Sequence, residues 1–239
     1  LGGAFSKFES DGGIKCDGTT IVLTNSGSEA LTGIGWVVNG TVPSDTNVHT
    51  AIKDVDPSVS TELTQVNMIV DNVGRGSESG DFRVGNMSTG DSGSNGIQQF
   101  NLEVQQSSWI TSLSTTSNDL EVVNVVNDGN HNGDLRIGDN KDDDGYTGLE
   151  DVRVFNASAM VGSVTLEADI DADVIAKYDN LKDTANDVSS DNIEFAYTTG
   201  TGNDTVALTI SEEAISYEDL ELTVETGAGN DTVVFEVKD

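Results

Sequence analysis

Two phrases near the C-terminus nearly copy each other: Thr199-Gly-Thr-Gly-Asn-Asp-Thr-Val206 and Thr226-Gly-Ala-Gly-Asn-Asp-Thr-Val233, 27 residues apart. Each is a turn punctuated by glycine, which accepts tight and left-handed backbone that other residues resist. Each then enters a β-branched run. The flanks repeat as well. Ile193-Glu-Phe-Ala-Tyr and Val206-Ala-Leu-Thr-Ile surround the first turn, and Leu220-Glu-Leu-Thr-Val and Val233-Val-Phe-Glu-Val surround the second. Apolar–polar alternation predicts half-buried β-strands. Each unit therefore reads strand, glycine turn, strand, and the fixed period predicts that one turn stacks directly over the other.

Carbonyls of such turns, with the aspartate carboxylate that follows, suit a hard, oxygen-seeking cation such as Ca²⁺. The turns resemble the nonapeptide Gly-Gly-x-Gly-x-Asp-x-hydrophobic-x of the RTX family of calcium-binding repeats. Thr199 and Thr226 stand where that pattern has its first glycine, and the later positions match. The resemblance covers roughly the last fifth of the chain, in two copies. It implies a parallel β-roll whose turns share calcium, with Gly200, Gly202 and Asp204 as ligands beside Gly227, Gly229 and Asp231. The 27-residue unit departs from the about 18 residues of two nonapeptides.

The chain has 239 residues, of which 42 are acidic and 11 basic, for a net charge of −31. Nucleic acid and anionic lipid are poor partners for such a surface. Self-repulsion opposes a compact state unless counter-ions relieve it, and bound Ca²⁺ would do so. The alternative is a solvated acidic surface, but the acids cluster in glycine-rich loops. A single cysteine, Cys16, forbids an internal disulfide and is expected to serve as a small apolar residue. No stretch approaches the roughly 20 apolar residues of a membrane-spanning helix. A start at Leu1 instead of methionine predicts removal of a leader or excision from a precursor. Aromatic residues are 5% and prolines number two, at Pro43 and Pro57, which fits an extracellular β-rich structural protein better than a compact enzyme.

A second repeat lies upstream. Gly80-Asp-Phe-Arg-Val-Gly85 matches Gly133-Asp-Leu-Arg-Ile-Gly138, Val66-Asn-Met-Ile-Val-Asp71 resembles Val123-Asn-Val-Val-Asn-Asp128, and Gly96-Ile-Gln-Gln-Phe-Asn-Leu102 resembles Gly148-Leu-Glu-Asp-Val-Arg-Val154. The expected organisation is therefore an N-terminal capping or docking segment (1–60), two diverged β modules with acidic loops (61–168), and RTX-like β repeats (169–239). Strands are predicted at 20–24, 35–38, 64–70, 82–84, 98–104, 120–126, 135–137, 152–155 and 163–167, followed by four around the C-terminal turns. Short helices are predicted at 173–181 and 211–217. The fold class is all-β: a repeat-containing β-solenoid or β-roll, or β-sandwich modules, with calcium loops and few helices.

The sharpest local pattern is Asp128-Gly-Asn-His-Asn-Gly-Asp-Leu-Arg-Ile-Gly-Asp139. Asp128, Asn130, Asn132 and Asp139 fall at positions 1, 3, 5 and 12 of a loop able to wrap one Ca²⁺, with Gly133 at 6 and apolar Leu135 at 8. The next residues repeat the spacing with Asn140, Asp142, Asp144 and Asp151. Asp134 and Tyr146 occupy position 7 and complete the candidate set. These loops resemble the Asp-x-Asn/Asp-x-Asp-Gly class found in dockerin and integrin-type repeats. Solvated Asn/Asp/Gly turns are the alternative. The matching place in the earlier module carries Arg75, Ser77 and Ser79, which should not bind an ion in that way.

Catalytic patterns are absent. The histidines are His49 and His131, and no His-Glu-x-x-His, Gly-x-Ser-x-Gly or phosphate-cradling loop occurs. Asn-x-Ser/Thr triplets at Asn39, Asn86, Asn156, Asn203 and Asn230 carry little weight in so Asn- and Thr-rich a chain. The sequence therefore predicts a non-enzymatic, extracellular, Ca²⁺-stabilised protein that assembles with copies of itself into a surface layer or filament. A calcium-dependent adhesin that contacts glycan or protein is the alternative.

Overall fold

A computed structural model describes residues 14–17, 20–24, 48–50, 65–72, 82–84, 98–110, 112–115, 118, 120–138, 148–172, 174–178, 193–216 and 220–238. In chain order the strands begin with β1 (Ile14–Asp17), β2 (Thr20–Thr24), β3 (Val48–Thr50), β4 (Gln65–Asp71) and β5 (Phe82–Val84). There follow β6 (Gln99–Val104), β7 (Ser108–Ile110), β8 (Leu113–Thr115), β9 (Val122–Asn127), β10 (Leu135–Ile137) and β11 (Leu149–Glu150). The rest are β12 (Val154–Ala159), β13 (Val164–Ile170), β14 (Ile193–Thr198), β15 (Thr205–Ser211), β16 (Leu220–Glu225) and β17 (Thr232–Lys238). Among the described residues two one-turn helices interrupt them, α1 (Val174–Lys177) and α2 (Glu212–Ile215). The predicted strand 35–38 lies outside the described residues.

The described strands form three open sheets. One runs β1-β2-β4-β6-β9-β12-β14-β16, a second β17-β15-β13-β10-β7 with β11 also on β13, and a third β3-β5-β8. Among the described strands every pairing is parallel except β1 with β2. Parallel neighbours require a crossover, usually a helix. Here the crossover is a strand of another sheet. From β9 onward the chain passes along the first sheet, turns through a short connection, runs along the second, and pairs again in the first. One such pass is a coil.

Alternation sets which side chains meet. β6 alternates half-buried and buried residues, β13 alternates without a break from Val164 to Ile170, and β15 does the same. Val66, Phe100, Val123, Phe155, Tyr197 and Val224 occupy one column of the first sheet. Ile110, Ile137, Leu166, Val206 and Val233 occupy one column of the second. Buried residues of both sheets belong to a single apolar cluster. Tyr197, fully buried, satisfies its hydroxyl by donating to the Val152 carbonyl (2.7 Å). On the other side of the pleat Asn101, Asn124 and Asn156 align in a polar column. There Asn124 Nδ2 donates to Asn101 Oδ1 (3.0 Å).

The 27-residue period appears unchanged in the pairing: Ile193 opposes Leu220 and Thr205 opposes Thr232. The longer upstream offset behaves differently. Phe82–Val84 pairs in the third sheet and Leu135–Ile137 in the second, so segments that align in sequence occupy different places. β13 runs across position 168 without interruption. The helices occupy the predicted stretches in shortened form. Ser211 caps α2 by accepting from the Ala214 N–H (3.1 Å), a bond available to serine at this position.

Phe155→Ala removes a fully buried ring from the middle of a column, and should cost about 3–5 kcal/mol in urea denaturation. Val234→Ala, on the exposed last strand, should stay within about 0.5 kcal/mol. Equal effects would contradict the placement of the core.

Candidate functional site

The connections between the two sheets lie over one another: 105–107, 128–134, 160–163, 199–204 and 226–231. Two features lock them. The first is a hydrogen-bond ladder along the aligned positions Ser107, Asp134, Ser163, Asn203 and Asn230. Ser107 Oγ accepts from the Asp134 N–H (3.1 Å). Asp134 Oδ1 accepts from the Ser163 N–H (2.8 Å), Ser163 Oγ from the Asn203 N–H (3.1 Å), and Asn203 Oδ1 from the Asn230 N–H (2.9 Å). Each rung is a side-chain oxygen that receives the amide of the next coil. Asn127 adds a clamp, with Oδ1 accepting from Val161 and Gly162 while Nδ2 donates to the Val104 and Gly133 carbonyls.

The second feature is a column of glycines. A Cβ on Gly162 would strike the Gly133 carbonyl, one on Gly202 would strike Ser163 and the Gly162 carbonyl, and one on Gly229 would strike the Gly202 carbonyl. Alongside, a Cβ on Gly200 would meet the Met160 carbonyl, and one on Gly227 the Gly200 carbonyl. Gly227 (φ +71°) and Gly229 (φ +143°) also need the left-handed region, whereas Gly200 and Gly202 do not. Close backbone approach thus explains glycine at all four positions. The Gly200 carbonyl, a candidate ligand from sequence, also accepts the Ala228 N–H (3.0 Å).

The aspartates of these turns point the other way along the stack. Asp231 Oδ1 accepts from the Asp204 N–H (3.0 Å), and Asp204 Oδ1 from the Val164 N–H (2.8 Å). Asp204 stands in the inward column that Leu135 and Val164 fill in the preceding coils. It is 1% exposed, and its Oδ2 has no hydrogen-bond partner. A buried carboxylate oxygen without a donor is costly, and a native example calls for a water, ion or functional role.

The candidate loop from Asp128 is partly described. Asp128 Oδ1 accepts from the Asn130 and His131 amides (2.9 and 2.7 Å), and Oδ2 lies 2.7 Å from His131 Nδ1. The His131 hydrogen bond holds the Asp128 carboxyl below its ordinary pKa. Asn130 and Asn132 are exposed, and Leu135 is in the core. Asp139, Asn140, Asp142, Asp144 and Tyr146 lie outside the described residues, as do Arg75, Ser77 and Ser79.

Asp151, expected at position 12 of the second loop, is fully buried with φ +50°. Its Oδ1 accepts from the Asp171 N–H (3.0 Å) and its Oδ2 from Asn118 Nδ2 (2.8 Å). Its carbonyl accepts from Lys177 Nζ (2.9 Å) and the Tyr178 hydroxyl (3.2 Å). Lys177 also donates to the Leu120 carbonyl (2.6 Å), so α1 ties two coils together. Glu150, Asp151 and Asp171 each bring a carboxylate oxygen within 4.8 Å of the others, close enough to share a proton or a cation. Sequence reasoning missed Glu150 and Asp171, because the fold joins them through β11 and the end of β13.

Comparison with protein-family models, curated proteins and solved structures finds no match to this chain. Among the described residues no helix is long and apolar enough to cross a membrane.

Burial, and next the Asp171 charge, push the Asp151 carboxyl up from 3.8 to about 7. The unfolded carboxyl ionises near pH 4, so between about pH 4 and 7 the folded state holds the extra proton. The stability contributed is complete below about pH 4 and is lost as pH rises to 7. In chelator, the Tm of the native chain should fall across this window more steeply than that of Asp151→Asn, by on the order of 5 °C. Parallel curves would contradict a neutral Asp151.

Proposed function

We propose that this chain is a secreted, calcium-stabilised β-solenoid, and that it builds a surface layer or extracellular filament and carries out no catalysis. One observation carries the reading: Asp204 Oδ2, buried and unpartnered, at the position that Leu135 and Val164 fill in the two preceding coils. A cation at this oxygen would replace the missing donor. The surroundings offer carboxylates and turn carbonyls, and hard oxygen donors favour Ca²⁺ over softer metals. Asp204 would supply the first carboxylate, with Asp231 in the neighbouring coil beside it. The RTX-like spacing of both turns supports the same assignment.

Charge argues in the same direction. A chain at −31 gains from bound divalent ions both by ligation in the folded state and by relief of repulsion. Successive coils that stack through a repeating ladder suit a load-bearing rod or layer, since such arrays extend by nearest-neighbour contacts. Among the described residues the outward rows of Asn, Thr and Glu offer no nucleophile–base arrangement.

Asp204→Asn keeps an oxygen for the Val164 amide and removes the charge. With millimolar Ca²⁺ the native chain should gain about 3 kcal/mol if calcium stands near 100 times its Kd, and the variant should lose most of that gain. In chelator the variant should be at least as stable as the native chain. An undiminished calcium response would remove the ion from this turn. Electron microscopy separates the assembly reading from adhesion. Polymers that form in calcium and not in sodium chloride of matched ionic strength support assembly, while dispersed particles that bind glycan support an adhesin.

A further inference from the structure

One side-chain cluster in the fold brings together an amine, a carboxamide and a carboxyl group. Lys177, at the end of α1, reaches two segments that are distant in sequence. Its Nζ donates to the Leu120 carbonyl (2.6 Å) and to the Asp151 carbonyl (2.9 Å). A third contact reaches Asn118, whose Oδ1 lies 3.5 Å away, long for a hydrogen bond. Asn118 Nδ2 in turn donates to Asp151 Oδ2 (2.8 Å). The three side chains therefore meet in a row, although Asn118 and Lys177 stand 59 residues apart.

The surroundings hold this arrangement in place. Asp151, Leu120 and Val174 are buried. The Tyr178 ring centre lies 5.5 Å from Lys177 Nζ, and that ring packs edge-on against Phe195 (5.7 Å). The Tyr178 hydroxyl donates to the same Asp151 carbonyl (3.2 Å). Asn118 (φ +54°) and Asp151 (φ +50°) both hold left-handed backbone, which non-glycine residues keep where surrounding contacts impose it. Burial favours the neutral Asp151 carboxyl, and the Lys177 charge acts on it from nearby.

We propose that Lys177 and Asn118 join in an intramolecular isopeptide bond, with Asp151 relaying the protons. The deprotonated amine attacks Asn118 Cγ. The Nζ–Cγ bond forms, the Cγ–Nδ2 bond breaks, and Nδ2 departs. Nζ enters as an ammonium and sheds two protons, and both leave on Nδ2 as an ammonium ion. Charge and atoms balance, and neither oxidant nor reductant is needed. Asp151 Oδ2 touches the leaving nitrogen. It takes a proton shed by Nζ, delivers it to Nδ2 as the Cγ–Nδ2 bond breaks, and ends as it began. The two carbonyls that fix Nζ hold the amine beside the carboxamide, and groups held in this way react as if at very high concentration. The bond ties the segment before β9 to the helix after β13, and it does not depend on a bound ion.

Intact-mass spectrometry of the folded full chain tests the bond. The native chain should weigh one ammonia less than its sequence, and a protease digest should contain a branched peptide that joins Asn118 to Lys177. Lys177→Arg and Asn118→Ala should each restore the full mass. Asp151→Asn should stay folded by circular dichroism and remain unlinked, although both reacting side chains are present. The Tm of the native chain should exceed that of Lys177→Arg by on the order of 10 °C, because the cross-link restricts the unfolded chain. A folded native chain at full mass would overturn the proposal and leave Lys177 as a hydrogen-bonded clasp alone. Loss of ammonia that maps to a succinimide at Asn132-Gly133, with no branched peptide, would overturn it as well. A branched peptide from folded Asp151→Asn would overturn the role of Asp151.

Discussion

The structure depends on a repeated contact at the turns, in which a side-chain oxygen of one coil accepts the backbone amide of the next. Parallel strands alone leave their register open to slippage, because a shift of the strand changes which residues face the core. The Ser107–Asp134–Ser163–Asn203–Asn230 ladder fixes that register one coil at a time. Each rung is a modest hydrogen bond, about 1 kcal/mol net, but moving any one would leave a turn amide unpaired. The glycines make the ladder reachable. With a Cβ at Gly162, Gly202 or Gly229 the turns could not approach closely enough for these bonds. The apolar columns then follow, since each strand enters its sheet at a position set by its turn.

Among the described residues two aspartates are buried, and they are handled in different ways. Asp151 has both carboxyl oxygens and its carbonyl engaged, and it stands beside Glu150 and Asp171. Burial and the Asp171 charge favour its neutral form, so a proton relieves the site. Asp204 has one oxygen engaged by Val164 and the other without a donor, and the calcium account assigns relief there to a cation. On the proposed reading both sites couple the fold to solution conditions, the first to pH and the second to divalent ions.

The sequence was most legible where alternation and glycine punctuation coincide. Thr20–Thr24, Phe82–Val84 and Leu135–Ile137 are strands with the expected bounds, and the 27-residue repeat supplied the pairing of the last coils residue for residue. Partner choice was legible only at that fixed period. Phe82–Val84 and Leu135–Ile137 share a pattern, yet they pair in different sheets, because alternation encodes a face and not a neighbour. The glycines stood out in the sequence through their turns, but the reason for Gly200 and Gly202 is contact with Met160, Gly162 and Ser163, which no local pattern reveals. Asp204 was visible as an acidic turn residue. Its burial came from column alignment with Leu135 and Val164. Glu150, Asp171 and Lys177 became neighbours only through the stacking of coils.

The central claim is that a calcium ion completes the coordination of Asp204 inside the turn stack. Anomalous diffraction from crystals grown in calcium tests it most directly. The account predicts a peak about 2.3–2.6 Å from Asp204 Oδ2, with oxygen ligands alone. A map showing that oxygen paired with a water or a protein donor, and no ion in the 199–204 and 226–231 turns, would contradict it.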